Sequence, residues 1–245
     1  MRILKNELVD SGKRMIPPEE NEISFVFARH KFAYQYASKF VKNKYVLDVG
    51  CGTGYGCSIM NETAQYVCGV DYDISALSHC VRRYKNPKNN FVQMIATRLA
   101  FRRQFDVAVS FQVIEHIENS SKYIEQLKFV TKRGGLILIS TPNVKQNIKT
   151  TNRNPFHAKE FDYNSFNELI MQNFSSYEII GISYSKQNFF RSAFQSSPLY
   201  RLGKILKRKS KIKKMAGKIL NLTGFTITRT NLESSLDILA YCKNL

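Results

Sequence analysis

Tyr45-Val-Leu-Asp-Val-Gly-Cys-Gly-Thr-Gly-Tyr-Gly56 is the stretch on which the reading of this chain turns. Val46, Leu47 and Val49 form an apolar run interrupted by one acid, Asp48, which predicts a buried parallel strand. Gly50, Gly52, Gly54 and Gly56 then arrive at alternate positions. Glycines directly after such a strand permit a tight turn and let a ligand approach the backbone closely. A helix from Tyr55 to about Ala64 would point its free N–H groups at that ligand. A glycine-rich turn alone does not name the ligand, so the neighbouring segments decide it.

Upstream, residues 1–20 are polar and Pro17-Pro18 acts as a stop. Ile23, Val26, Phe27, His30, Ala33, Tyr34, Ala37, Phe40 and Val41 recur at helical spacing, which predicts a helix from about Asn21 to Phe40. Downstream, Tyr66–Asp71, Phe91–Ile95, Phe105–Phe111, Leu136–Ser140, Tyr177–Tyr184 and Leu236–Cys242 read as strands. Helices are expected through about Tyr84, capped by Asp73 or Ser75, over Ser120–Val130 and over Asn164–Asn173. Arg133-Gly134-Gly135 is expected to end the second of these. The alternation predicts an α/β, doubly wound, mostly parallel sheet of seven strands covered on both faces. Residues 1–43 form an N-terminal segment and helix, and 44–245 one domain with a basic helical insertion at about 186–235.

Composition bounds the rest. Hydrophobic content of 43% in 245 residues suits a globular chain with a full core. No apolar run is long enough to cross a membrane, and the first ten residues lack a signal-peptide core. The cysteines at 51, 57, 68, 80 and 242 show no CxxC pairing and read as reduced thiols, not as a disulfide or zinc framework. The expectation is a cytoplasmic protein able to sit peripherally at the inner face of a membrane. The net charge is +18. Twelve Lys/Arg and one acid fall between Lys186 and Ser235, a local excess of +11. Leu202, Ile205, Leu206, Ile212, Met215, Ile219 and Leu222 keep helical spacing among those lysines, so a basic amphipathic helix or helix pair is expected at about 198–222. Such a patch suits an anionic membrane surface or a phosphate-bearing substrate. An equal alternative is a solvated lid over the active site.

Asp71 ends the second strand, 21 residues after Gly50. An acid there can accept hydrogen bonds from a ribose diol, which makes a nicotinamide dinucleotide one candidate. The spacing argues against it, being GxGxGxG where the dinucleotide fingerprint is GxGxxG. Four ordered segments resemble the motifs of class I S-adenosylmethionine-dependent methyltransferases. They are Val46–Gly56, Gly69-Val-Asp71-Tyr-Asp73, Phe105–His116 and Arg133–Asn143. That resemblance implies S-adenosyl-L-methionine as cofactor, with Gly50, Gly52 and Gly54 lining its methionine portion and Asp71 binding its ribose. It implies that Asp48 helps hold the amino group, that Ala96 and Thr97 lie near the adenine, and that Tyr72 and Phe111 border the cofactor. Ile95 stands where many relatives carry an acid, and Thr97 is the residue able to stand in for it.

Methyl transfer from a sulfonium needs an aligned nucleophile and, for a hydroxyl, a proton acceptor. Open sheets bind ligands at the carboxyl ends of their strands. Glu115 and His116 follow the fourth strand, and His157 lies beyond the fifth, which makes these three the catalytic candidates. Asn154-Pro-Phe-His157 with Glu160-Phe161, and the early Lys13–Pro17, resemble methyltransferases associated with bacterial surface-glycan synthesis. The array Gln112, Glu115, His116 and His157 also resembles the magnesium or manganese site of small-RNA terminal 2′-O-methyltransferases. There Gln112 replaces an acid and is a weaker ligand for a hard cation. The first expectation is therefore O-methylation of a sugar hydroxyl in a glycan or glycan precursor, without metal. The alternatives are RNA 2′-O-methylation, metal-assisted or not, a small-molecule or lipid acceptor, and a relative that has lost catalysis. Nucleic acid ranks below a glycan, since no RNA-binding module is recognisable.

Overall fold

The computed structural model describes residues 24–84, 86–147, 154–185 and 224–245. The expected basic helix at 198–222 lies outside them, as do Pro17-Pro18 and residues 21–23, where the N-terminal helix was expected to start. That helix, α1, spans Phe25–Ala37. Ser24 caps it by accepting from the Phe27 N–H at 3.2 Å. His30, Ala33, Tyr34 and Ala37 form its buried stripe. A single 3₁₀ turn, Ser38–Phe40, completes the stretch predicted to be helical.

The chain continues through β1 (Tyr45–Val49), α2 (Tyr55–Asn61), β2 (Tyr66–Asp71), α3 (Ile74–Arg83), β3 (Asn89–Gln93) and β4 (Phe105–Phe111). Then come α4 (Ser120–Val130), β5 (Thr131–Pro142), the four-residue α5 (Val144–Asn147), α6 (Tyr163–Asn173), β6 (Tyr177–Tyr184), β7 (Phe225–Thr228) and β8 (Asp237–Asn244). The strands form one sheet in the order β3-β2-β1-β4-β5-β8-β6-β7. Pairings from β3 to β5 are parallel. Those of β8 with β5 and β6, and of β6 with β7, are antiparallel. β1 lies between β2 and β4, so the strand order reverses there, which is where open sheets of this kind bind ligands at their carboxyl ends.

The sheet has eight strands where seven were expected. The extra strand, β7, falls in the segment read as basic insertion. It is only Phe-Thr-Ile-Thr, and of its side chains only Phe225 is buried, so it carries too little apolar signal beside the lysines. β3 also starts and stops two residues early, because β2 ends at Asp71, whose partner is Gln93. Ile95 has no partner strand and turns away, with its carbonyl accepting from the Arg98 N–H at 2.9 Å. At Arg133-Gly134-Gly135 the helix has already ended. β5 begins at Thr131, and Gly134 at φ +72° accommodates a register shift against β4 between Phe105 and Val107.

Both faces of the sheet are covered. Val46, Val107, Val109, Leu138 and Leu239 pack under α1 and α2. Leu47, Val49, Ile137, Ile139 and Ile238 pack under α4 and α6. The strand alternation assigns these faces. No helix among the described residues is long and apolar enough to cross a membrane, and all five cysteines are buried thiols.

Candidate active site at the carboxyl edge of the sheet

The glycine turn is fastened to β2. The N–H groups of Gly50 and Cys51 both donate to the Val70 carbonyl, at 2.8 and 3.0 Å. The Gly52 N–H donates to Asp71 Oδ2 and the Asp73 N–H to Asp71 Oδ1, both at 2.9 Å. Gly50 lies at φ +74°, and a Cβ there would stand 2.4 Å from Val113 Cγ2. Gly52, at φ +53°, faces open space, with no atom within 4 Å of where a Cβ would stand. Gly54 caps the seven-residue α2. Tyr72 and Ile95 are largely exposed at the ends of β2 and β3, while Ala96 and Thr97 are half-buried beside them. Gln93 Nε2 donates to the Tyr72 carbonyl at 3.0 Å.

Two residues expected at the cofactor sit differently. Asp48 is fully buried and, by strand alternation, shares the α1 face with Val46. Its Oδ1 accepts from the Tyr34 hydroxyl at 3.1 Å and its Oδ2 from Cys57 Sγ at 3.2 Å. Burial pushes this carboxyl up to about 7, and the two hydrogen bonds pull back. The Phe111 ring is buried against Tyr34, with centroids 5.0 Å apart. The His30 imidazole bridges the Tyr55 hydroxyl and the Phe111 carbonyl, and burial lowers its pKa to about 4.

On the α4 and α6 face, the turn after β4 meets the segment after β5. Glu115 is buried, and its Oε2 accepts from Thr141 Oγ1 at 3.2 Å. Its backbone carbonyl accepts from the Lys159 N–H at 3.0 Å, which fastens the 154–160 segment down. His116 Nδ1 donates to the Phe156 carbonyl at 2.7 Å, so Nε2 is its acceptor nitrogen when neutral. Burial lowers the pKa of this imidazole. Asn154 Oδ1 accepts from the Phe156 N–H at 3.0 Å, which directs the Asn154 amide NH₂ to His157 Nε2, also at 3.0 Å. His157 Nδ1 then donates to Glu160 Oε1 at 2.9 Å. The two imidazoles meet edge to face with centroids 4.9 Å apart. One potential ligand atom from each of Glu115, His116 and His157 lies within 4.8 Å of the others. The three catalytic candidates, 42 positions apart at the extremes of the sequence, are thus neighbours. Gln112, the fourth member of the expected array, directs its amide to Ser140 and Asp237 instead.

Sequence reasoning missed the α1 side of this edge. Arg29 Nε meets Asp237 Oδ2 at 2.9 Å, and both side chains are nearly buried. Burial pushes the Asp237 carboxyl up to about 6, against the pull of Arg29 and Gln112. The one available signal was a lone acid opening an otherwise apolar last strand.

The raised carboxyls have a pH signature. Glu115 lies near 8 in the folded protein against an ordinary 4.5, because burial disfavours its charge. Its stabilising contribution is present in full below pH 4.5 and is lost as pH rises through 8. Each pKa unit is worth about 1.4 kcal/mol. Asp48 and Asp237 act in the same direction up to about 7 and 6, while His30 opposes them between about 4 and 6.5. Urea denaturation should show stability falling between pH 7 and 8, and Glu115→Gln, which keeps an acceptor for Thr141, should reduce that fall.

Comparison with known proteins agrees with this geometry. A family described as "Methyltransferase domain" matches residues 22–179. A probable S-adenosylmethionine-dependent methyltransferase of Mycolicibacterium smegmatis is 33% identical over 171 residues, which cover 68% of this chain and 65% of that protein. One of Mycobacterium tuberculosis is 33% identical over 164 residues, 66% of this chain and 59% of that protein. The chain thus spans about three fifths of the length of these relatives. A solved S-adenosylmethionine-dependent methyltransferase of Thermotoga maritima, described as a possible histamine N-methyltransferase, superimposes with a TM-score of 0.61 at 12% identity. It covers 89% of this chain and 92% of that one, and shares the fold. With a family match over residues 22–179, a reversal of strand order at β1 and an acid clasped to a glycine turn, this chain belongs to the class I S-adenosylmethionine-dependent methyltransferases, the cofactor of that family being S-adenosylmethionine.

Proposed function

We propose that this protein methylates a hydroxyl group, and that the acceptor is a sugar in a glycan or glycan precursor. The observation that carries the reading is the meeting of His157, His116 and Glu115 beyond β4 and β5, in the turn whose Val113 also borders Gly50 of the glycine turn. The residues present fit the cofactor. The open space at Gly52 leaves room for the methionine portion, Asp71 stands at the end of β2 for the ribose, and the exposed Tyr72 and Ile95 offer apolar surface beside Ala96 and Thr97. When bound, S-adenosylmethionine supplies an electrophilic methyl on a sulfonium, so the leaving group needs no acid.

The chain's own task is then to hold and deprotonate the hydroxyl. His157 suits it: Glu160 holds Nδ1–H and leaves Nε2 as the acceptor nitrogen, where Asn154 now donates. An acceptor hydroxyl replacing Asn154 would give its proton to that nitrogen. His116 lies edge-on to His157, and Glu115 is protonated near neutral pH, so it cannot compete as a base. The resemblance of the 154–161 segment to glycan-associated methyltransferases supports the sugar. A second reading, metal-assisted transfer to a hydroxyl of RNA or a small molecule, is favoured by the close approach of Glu115, His116 and His157. The basic stretch between 186 and 235 suits an anionic membrane or a phosphate-linked substrate, which would hold the protein at a membrane surface.

Three measurements bear on this. Isotope-labelled S-adenosylmethionine incubated with a cell-envelope extract should deliver label to carbohydrate, and His157→Ala should lower the rate by about 10²–10⁴. Transfer that survives this substitution removes His157 as the base, and transfer that stops in chelator and returns with added divalent metal selects the second reading. Gly52→Val should abolish cofactor binding in calorimetry while the protein stays folded; unchanged affinity would refute the placement of the methionine portion. Wild-type protein should cosediment with anionic vesicles, and changing Lys207, Lys209, Lys211, Lys213 and Lys214 to Gln should release it. Equal binding by both removes the membrane role.

A further inference from the structure

The catalytic candidates and the glycine turn occupy the carboxyl edge of the sheet. The amino edge is strongly basic. Lys42 and Lys44 precede β1, Lys88 precedes β3, and Arg102 and Arg103 precede β4. Lys132 and Arg133 stand near the start of β5. Lys243 is near the end of β8, which runs antiparallel to β5 and so finishes at this edge. All eight residues are exposed. Two acids accompany them. One is Glu62, and the other is Asp106, whose Oδ1 is taken by Lys132 at 2.8 Å. Glu178, on the neighbouring β6, is held by Arg229.

These cations are set in a fixed row. The Gln65 N–H donates to the Lys44 carbonyl at 3.0 Å, the Val67 N–H to the Lys88 carbonyl at 2.9 Å and the Gln104 N–H to the Val130 carbonyl at 3.1 Å. Asn244 Nδ2 donates to the Thr131 carbonyl at 2.8 Å. From β3 to β8 the row crosses six strands, a width of about 24 Å at ordinary strand spacing. Neighbouring cations are closer than the Debye length of about 10 Å, so they repel one another. Helix dipoles do not account for them. The cations in the last turns of α3 and α4 are Arg82, Arg83 and Lys128, none of which belongs to the row.

Between β1 and β2 an open cavity of about 440 Å³ indents the row, with Lys42 and Lys88 in its walls and Asn43, Thr63 and Gln65 as hydrogen-bonding groups. Tyr45 stands at the start of β1, 42% exposed, with Lys132 Nζ 5.7 Å from its ring centroid. A bilayer presents a plane and takes up an apolar face beside its lysines. Here the cations form a line, with polar groups and a tyrosine among them. That pattern matches a single polynucleotide strand, whose phosphates follow the cations and whose bases stack on rings.

We propose that the amino edge of the sheet is a docking surface for single-stranded nucleic acid, which runs along the row from Lys88 to Lys243 and seats one nucleotide in the cavity. The surface lies at the far ends of the strands from the glycine turn and His157. A strand held here tethers the protein and is not presented to the methyl donor at this edge. The inference therefore depends on neither reading of the acceptor.

The test uses full-length protein in which Lys207, Lys209, Lys211, Lys213 and Lys214 are already Gln, so that the basic stretch does not mask the row. A fluorescent oligouridine long enough to span the row should bind, with log affinity falling linearly against log salt. Adding Lys44→Gln, Arg102→Gln and Arg103→Gln should weaken binding about 100-fold at about 0.1 M salt and make the slope shallower by about 2, at roughly 0.7 per lost phosphate contact. Melting temperature and cofactor binding should stay the same, since these three residues are exposed. Equal affinity and slope in the two proteins would overturn the proposal. So would anionic-vesicle binding that needs the three cations while oligouridine binding does not, which makes the row a membrane surface. Photocrosslinking of thiouridine-containing RNA to the wild-type protein needs no substitution. It should label the peptide around Tyr45, and labelling confined to residues 186–235 rejects the row as the docking surface.

Discussion

The hydrogen bond from the Gly52 N–H to Asp71 sets the geometry on which this molecule depends. Three N–H groups of the glycine turn, those of Gly50, Cys51 and Gly52, are aimed at the end of β2. They are there because β1 and β2 pair in parallel register through Val49 and Val70. The turn cannot drift from the acid without losing all three bonds. Val113 closes the side of Gly50 and nothing closes the side of Gly52, so one face of the turn is packed and the other stays open. Site and sheet are in this sense one construction.

The α1 helix is the second constraint. It is held by Tyr34 on Asp48, by His30 between Tyr55 and the Phe111 carbonyl, and by Arg29 on Asp237. Each contact engages a group that is expensive to bury alone. Removing one partner of a buried ion pair such as Arg29–Asp237 costs about 3–5 kcal/mol. The helix therefore belongs to the same body as the glycine turn. It also covers Asp48, whose two carboxylate oxygens are taken by Tyr34 of α1 and Cys57 of α2.

Much of the fold was legible because its signals are local. β1, β2, β4 and β6 are apolar runs bounded by turns, and Asp73, one of the two expected caps, does cap α3; Asn119 and Asp162 cap α4 and α6. β7 was not legible, since four residues with one buried side chain mean little until β6 offers an edge. The early stop of β3 was not legible either, because it is set by where β2 ends. Within the site, the glycine turn and Asp71 lie 21 positions apart and could be read from spacing. The partners of His157 within its own segment, Asn154 and Glu160, were in plain view. The tautomer they impose was not, because it depends on which atom of Asn154 faces the ring.

The sequence by itself determined the doubly wound sheet, the cofactor family and the two post-strand segments that carry the histidines. Apolar periodicity, glycine spacing and helix caps are properties of short stretches, and short stretches retain them before folding. Only the tertiary structure decided which way Asp48 and Gln112 face, that Arg29 and Asp237 meet, and that Glu115, His116 and His157 come within reach of one another. Those outcomes depend on strand register, on one left-handed backbone angle and on burial, and none of these exists until the sheet has closed around its core.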